Sequence, residues 1–279
     1  GVAVLVVLAV SFARANGLVA ALWGAGGVAM AAWLRGGRGL QYDLGFGVLV
    51  VAGVFAGEIL AGNGPSLSVL FTLTNLLEIV LAVVLTRRLV TGLHVDSVQG
   101  LARFLTICAI APLPSALISA GALSSMVGED FLDAFRIWWS GHALGFAVIG
   151  VFGLSLRKAH LRVLKQPARL AEGVGLGVLL ASACYAIFSH LSLPYGFLLL
   201  PLIVIAAVRF RVIGAAWALL VVSVVAIGGT MAGHGPYHQF GAEDRALLAQ
   251  LLVLLGYMPI LMVACLLYTS DAADDTPCV

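Results

Sequence analysis

Apolar runs near the length of a bilayer crossing, separated by short polar connections, fill almost the whole chain. They stand at roughly 1–13, 17–34, 43–61, 66–86, 100–124, 131–156, 173–191, 194–209, 212–231 and 246–267. About 20 apolar residues cross the hydrocarbon core as a helix. The second and eighth runs are short or interrupted, so eight full spans with two partial ones is the other count the pattern allows. The apolar–polar alternation that builds a membrane barrel is absent, and lipid offers open backbone groups no hydrogen-bond partner. The pattern therefore predicts an all-α, polytopic integral membrane helix bundle with about 8–10 transmembrane segments.

Composition agrees. The chain is 62% hydrophobic and 10% charged, with a mean hydropathy of +1.10, against roughly 25% charged residues in a soluble domain. The formal net charge of +2 hides an asymmetry. All but three of the fifteen Lys and Arg residues fall on alternate connections: Arg35 and Arg38; Arg87, Arg88 and Arg103; Arg157 to Arg169; Arg209 and Arg211. The opposite connections hold only Arg14, Arg136 and Arg245, together with Glu129, Asp130, Asp133, Glu243 and Asp244. Basic connections stay cytoplasmic. A ten-segment count then places both ends in the cytoplasm of a bacterial cell, with the chain in the inner membrane.

Two stretches do not read as native membrane sequence. The run at 1–12 begins without a methionine, a basic region or a cleavage pattern, so it reads as a helix cut off at its start and not as a signal peptide. From Cys265 the sequence CLLYTSDAADDTPCV turns abruptly polar and acidic. One codon choice for Cys265–Ser270, TGTCTCTTATACACATCT, looks like a transposon end used in sequencing libraries. The expectation is a membrane domain over 1–264 and an adapter-derived tail over 265–279. Cys108 and Cys184 then remain, both inside apolar runs, and they suggest neither a disulfide framework nor a metal site.

The candidate chemistry sits where polar residues interrupt the apolar runs. FLDAFRIWWSGHALG (Phe131–Gly145) leads from an acidic lip through Arg136, Trp138 and Trp139 to Ser140, Gly141 and His142. Tryptophan beside arginine at the mouth of an apolar run suits an interfacial anchor first, and the rim of a ligand site second. Asn75 and Glu78 lie three apart on one helical face, and Glu58 follows a Gly53-x-x-x-Gly57 pair. Intramembrane carboxylates usually face the bundle interior and mark functional positions. Pro112, Pro114, Pro201 and Pro259 are expected to kink or break helices. His142, His190, His234 and His238 fall on the outer side, but Gly235 and Pro236 separate the last two, against a helical metal pair. No HExxH, P-loop or GxSxG elbow occurs. Gly173-Val-Gly-Leu-Gly177 suits close helix packing better than nucleotide binding, and the basic connections suit topology better than nucleic acid.

Four stretches in order resemble the bacterial membrane-associated sensor domain family, the first of the MASE series. They are WGAGGVAMAAWL (Trp23–Leu34), TNLLEIVLAVVLTRRL (Thr74–Leu89), FRIWWSGHALG (Phe135–Gly145) and the late helix pair over Leu198–Tyr237. Two departures stand out. His142 occupies a step where the family usually has an aspartate, and Gly24 and Ala25 follow Trp23 where a proline is common. The resemblance implies a sensory input domain with no catalysis, cofactor or metal of its own. Its partners would be the lipid bilayer, a small ligand or membrane-state stimulus, and a cytoplasmic output domain lost from this chain, either a histidine kinase or a cyclic-di-GMP synthase or hydrolase. Homodimerisation would follow from such an output. The candidate sensing or packing residues are Arg136, Trp138, Trp139, His142, Asn75, Glu78, Glu58 and Trp23. The reading from another class is a small-molecule transporter or channel, with Glu58, Glu78 and broken helices along a substrate path.

Overall fold

A computed structural model of the chain describes residues 21–156 and 166–274. The first apolar run, Arg14, most of the basic connection before Gln166 and the last five residues lie outside the described residues. In chain order the helices are α1 (Gly24–Arg35), α2 (Leu40–Leu60), α3 (Pro65–Leu89), α4 (Val98–Ile110), α5 (Leu113–Val127), α6 (Phe131–Ser155), α7 (Pro167–His190), α8 (Leu200–Met231), α9 (Ala242–Leu251) and α10 (Pro259–Asp274). No strand occurs among the described residues. Seven stretches of these residues are helices long and apolar enough to cross a membrane.

One of the seven, Tyr195–Met231, is a helical hairpin. Arg211 takes φ 58° and ψ −148°, a left-handed backbone that reverses the chain. Gly196, just before the first arm, and Gly229, near the end of the second, both lie against Phe188 of α7, which a straight helix at 1.5 Å per residue cannot achieve. The two apolar runs expected at 194–209 and 212–231 are these arms. Run 100–124 is divided by a turn at Ala111 and Pro112 into α4 and α5, which together form one span, Val98–Val127. Pro201, expected to kink a helix, instead lies in the first turn of α8, where a missing N–H costs nothing.

α6 is the centre of the bundle. Its span is 78% buried, against 22% for α2 and α7, which show most of their surface to lipid. Asp130 caps α6, accepting from the amides of Leu132 and Asp133. α1 lies against α6 backbone to backbone. A Cβ on Gly145 would stand 2.2 Å from the Trp23 carbonyl oxygen, and one on Gly27 2.3 Å from the Gly145 carbonyl oxygen, so this approach requires glycine at both positions. Of the 173–177 glycines, Gly177 has such a role: the ring of Trp217 occupies the space a Cβ would need.

The two ends of the bundle differ in charge. At one end Arg87 grips Asp43 through 2.9 Å contacts, Asp43 also accepts from Trp33 Nε1 at 2.7 Å, and Arg35 donates to the carbonyls of Gly153 and Leu156 at the end of α6. Arg103 donates to the Leu89 carbonyl, and Arg209 pairs with Glu172. At the other end stand Glu129, Asp130, Asp133, Glu243 and Asp244, with Arg136 bonded to Asp133. The alternation of charge read along the sequence is thus a separation in space. α10 runs to the basic end, where Cys265 Sγ approaches the Val95 carbonyl.

Candidate functional site

The indole of Trp138 does not face lipid. It points into the bundle and is 4% exposed, because the acidic lip puts the start of α6 at the surface and Trp138 two turns further in, on the buried face. There it stacks on His142 with ring centroids 4.6 Å apart and planes 22° apart. On the other side Trp23 stacks on His142 at 5.2 Å and 8°. His142 is therefore the middle layer of a sandwich whose outer layers come from α6 itself and from the residue that caps α1. Phe71 of α3 packs on Trp138 from beyond, at 5.0 Å.

The edge of the imidazole meets Glu78. His142 Nδ1 lies 2.6 Å from Glu78 Oε1, and both side chains are buried, 2% and 0% exposed. The other carboxylate oxygen of Glu78 accepts from the hydroxyl of Ser115 on α5. One carboxylate thus joins α3, α5 and α6, with the end of α1 held against them by the Trp23 stack. A second polar tie runs beside it: Ser119 Oγ to Thr74 Oγ1 at 3.2 Å. Asn75 turns its amide back to the Phe71 carbonyl at 2.8 Å, and its Oδ1 has no partner among the described residues. The indole nitrogens of Trp23 and Trp138 are also buried and unpartnered. Each such group costs about 1–3 kcal/mol relative to being bonded.

The structure brings together Trp23, Asn75, Glu78, Trp138 and His142, and leaves the other candidates apart. Trp139 points away from the sandwich and donates its indole N–H to the Ala109 carbonyl at 2.8 Å, beside the turn between α4 and α5. Arg136 is partly exposed at the acidic end, bound to Asp133 and the Leu132 carbonyl. Glu58 is buried at the end of α2 and accepts from Asn63 in the following turn. That bond closes the turn after α2.

Sequence reasoning missed Ser115, Ser119 and Gln250, and gave Ser140 no contact of its own. Ser140 Oγ lies 2.6 Å from Gln250 Oε1, and Gln250 Nε2 donates to the Ala21 carbonyl at 2.9 Å. Trp23 N–H donates to the Gly141 carbonyl at 3.2 Å. The signals existed: Ser115 and Ser119 lie four apart on an apolar helix, and Gln250 is a lone amide entering an apolar run. No group of three or more His, Cys, Asp or Glu able to hold a metal occurs among the described residues. The His142 ring and the Glu78 carboxylate together touch four elements, α1, α3, α5 and α6.

No curated protein and no solved structure matches the chain. The MASE1 family model matches residues 1–269. A helical membrane bundle with a buried polar cluster at its centre is the setting in which that match falls, and the chain belongs to MASE1, a family of membrane-associated sensor domains.

Proposed function

We propose that the chain is the input domain of a bacterial signal-transduction protein of the inner membrane. It passes a signal to a C-terminal cytoplasmic output domain, a histidine kinase or a cyclic-di-GMP synthase or hydrolase. The orientation follows from the basic end, where α10 leaves the bundle. The stimulus, a small ligand or a state of the membrane, acts on the outer half of α6 and shifts the packing around His142 and Glu78. A stimulus does this only if it favours one packing over another.

The observation that carries this reading is the clamp of His142 between Trp23 and Trp138 with its Nδ1 on buried Glu78. A buried polar network is stabilising when complete and costly when incomplete. Here three of its atoms, Trp23 Nε1, Trp138 Nε1 and Asn75 Oδ1, lack partners. Any alternative packing or ligand that satisfied even one of them would recover about 1–3 kcal/mol. That is enough to move a two-state equilibrium roughly fivefold to more than a hundredfold.

The test starts by recovering the source DNA across the codon for Cys265 and joining the domain to its own downstream region. Output activity is then measured in membranes for the parent and for His142→Ala and Glu78→Gln. The expected result is a kinase or cyclic-di-GMP domain downstream and an altered basal output in both variants. Solute uptake by vesicles holding residues 1–264 alone, with unchanged output in the variants, would overturn the reading in favour of a transporter.

A further inference from the structure

The last span is not one continuous α-helix. α9 ends at Leu251, residues Leu252–Tyr257 form a π turn, and α10 begins at Pro259. Pro259 has no N–H to give to an α-helical ladder, and Met258 N–H bonds to Val253, five residues back, at 2.9 Å. Tyr257, buried, ties the inner edge of the turn to the Gly196 carbonyl at 2.7 Å. A π turn holds one residue more than an α turn. Its loss or gain rotates everything beyond it by about 100° and slides it about 1.5 Å.

Directly above this turn sits Gln250, fully buried. The Ala21 carbonyl can only accept, so the amide NH2 must face it, and Oε1 is left for the Ser140 hydroxyl. Ala21 is two residues before Trp23 and Ser140 two residues before His142. Gln250 therefore holds both outer flanks of the sandwich at once.

We propose that Gln250 is the residue that couples the Trp23–His142–Trp138 cluster to the outgoing helix, and that the π turn beneath it is the joint. This rests on the sensory reading above. When the sandwich is intact, Gln250 fixes α9 against α1 and α6 and the π turn is kept. When the sandwich repacks, Ala21 and Ser140 move apart, α9 is released, and the π turn exchanges with an α turn. α10 then rotates at the basic end. Gln250 is a positioning residue: it touches no stimulus and acts through the two flanks it holds.

The experiment uses the 279-residue chain in lipid nanodiscs, with its four cysteines replaced and spin labels placed in pairs. An inner pair at Val263 of α10 and Leu89 of α3, both exposed, reports the outgoing helix. An outer pair at Leu132 of α6 and Val69 of α3, also exposed, reports the cluster. His142→Ala opens the sandwich. On a helix of about 5 Å radius, a 100° rotation carries a label roughly 8 Å. The expected result is an inner-pair shift of that order with Gln250 present, lost in Gln250→Leu and reduced in Ser140→Ala, which removes one arm only. Each variant is first shown to be monodisperse and thermally cooperative. An inner shift that persists in full with Gln250→Leu overturns the coupling role and leaves the sensory cluster standing. An outer shift with no inner shift, when Gln250 is present, also overturns it. If neither pair moves in His142→Ala, the sensory reading fails and the coupling with it.

Discussion

Replacing His142 with alanine removes one member of a buried pair and the middle layer of a stack. Truncating a buried ring to alanine costs about 3–5 kcal/mol in lost contacts and residual cavity, and it takes from Glu78 the partner of its Oε1. Glu78 is wholly buried, and Ser115 alone would remain on it. Each lost ring contact adds about 0.5–1.5 kcal/mol, and Trp23 and Trp138 each lose one. The total is about 4 kcal/mol or more. Glu78→Gln, by contrast, keeps the shape, still accepts from Nδ1 and keeps Ser115, so its cost is about 1–3 kcal/mol. For a chain of this size 1 kcal/mol corresponds to roughly 2–4 °C in Tm, so His142→Ala is expected to lower Tm by about 8 °C or more and Glu78→Gln by clearly less. The double variant Glu78→Leu/His142→Leu leaves neither polar group of the pair without its partner and is expected to lie well above the sum of its single changes. Thermal unfolding in mild detergent, followed by cysteine-reactive dye or by scanning fluorimetry, measures these variants and the single leucine changes against the parent. A His142→Ala protein within about 1 kcal/mol of the parent would refute the reasoning, since it would mean that the ring is not clamped in the bundle interior.

Gly145→Ala puts a methyl 2.2 Å from the Trp23 carbonyl, so α1 must separate from α6; a large loss of Tm is expected, while Gly228→Ala, which meets nothing within 4 Å, is expected to be neutral or slightly stabilising by about 0.5–1 kcal/mol. Arg87→Ala cuts the 2.9 Å contacts to Asp43 and the bond to the Gly37 carbonyl at 3.2 Å, and hydrogen exchange across the turn between α1 and α2 should speed up about tenfold, equivalent to roughly 1.4 kcal/mol; unchanged protection would show that the pair does not hold the turn. Trp139→Ala removes the bond to the Ala109 carbonyl but leaves the sandwich, so it should insert normally and weaken signalling less than His142→Ala; equal or greater loss of output would move the site toward α4.

The architecture was legible because lipid leaves so few solutions. Run length, the absence of alternation and the placement of arginines suffice for a helical bundle with two unlike ends, and the structure has Arg35, Arg87, Arg103 and Arg209 at one end and Glu129, Asp133, Glu243 and Asp244 at the other. Even the reversal at Arg211 was visible as a pair of arginines between two apolar runs. Rotation was much less legible. A twelve-residue helix such as α1 that is apolar all round gives no period to say which face meets α6, and only the glycine pair Gly27 and Gly145 decides it. For the same reason Trp138 and Trp139, adjacent in sequence, could both be read as anchors, although one faces the core and the other the α4 carbonyl.

Cost in lipid is the reason the polar residues of the site could be found at all, and it also explains the ones that were overlooked. Glu78 and Asn75 stood out because a carboxylate or amide inside an apolar run demands a partner. Serines make no such demand. A serine hydroxyl has one hydrogen, and a carbonyl of the preceding turn lies within its reach, that of Pro112 for Ser115 and of Arg136 for Ser140, so nothing in their own sequence context requires a distant bond. Their second contacts, to Glu78 and Gln250, exist only because the helices meet. Gln250 differs. Its amide cannot be satisfied within an α-helix, and it lies where α9 turns from the acidic surface into the bundle. A lone glutamine there must bond across helices, and here it bonds to the two segments that carry Trp23 and His142. The carboxylate of Glu78 and the amide of Gln250, on different spans, thus meet α6 at His142 and Ser140, two residues apart and so on different sides of that helix.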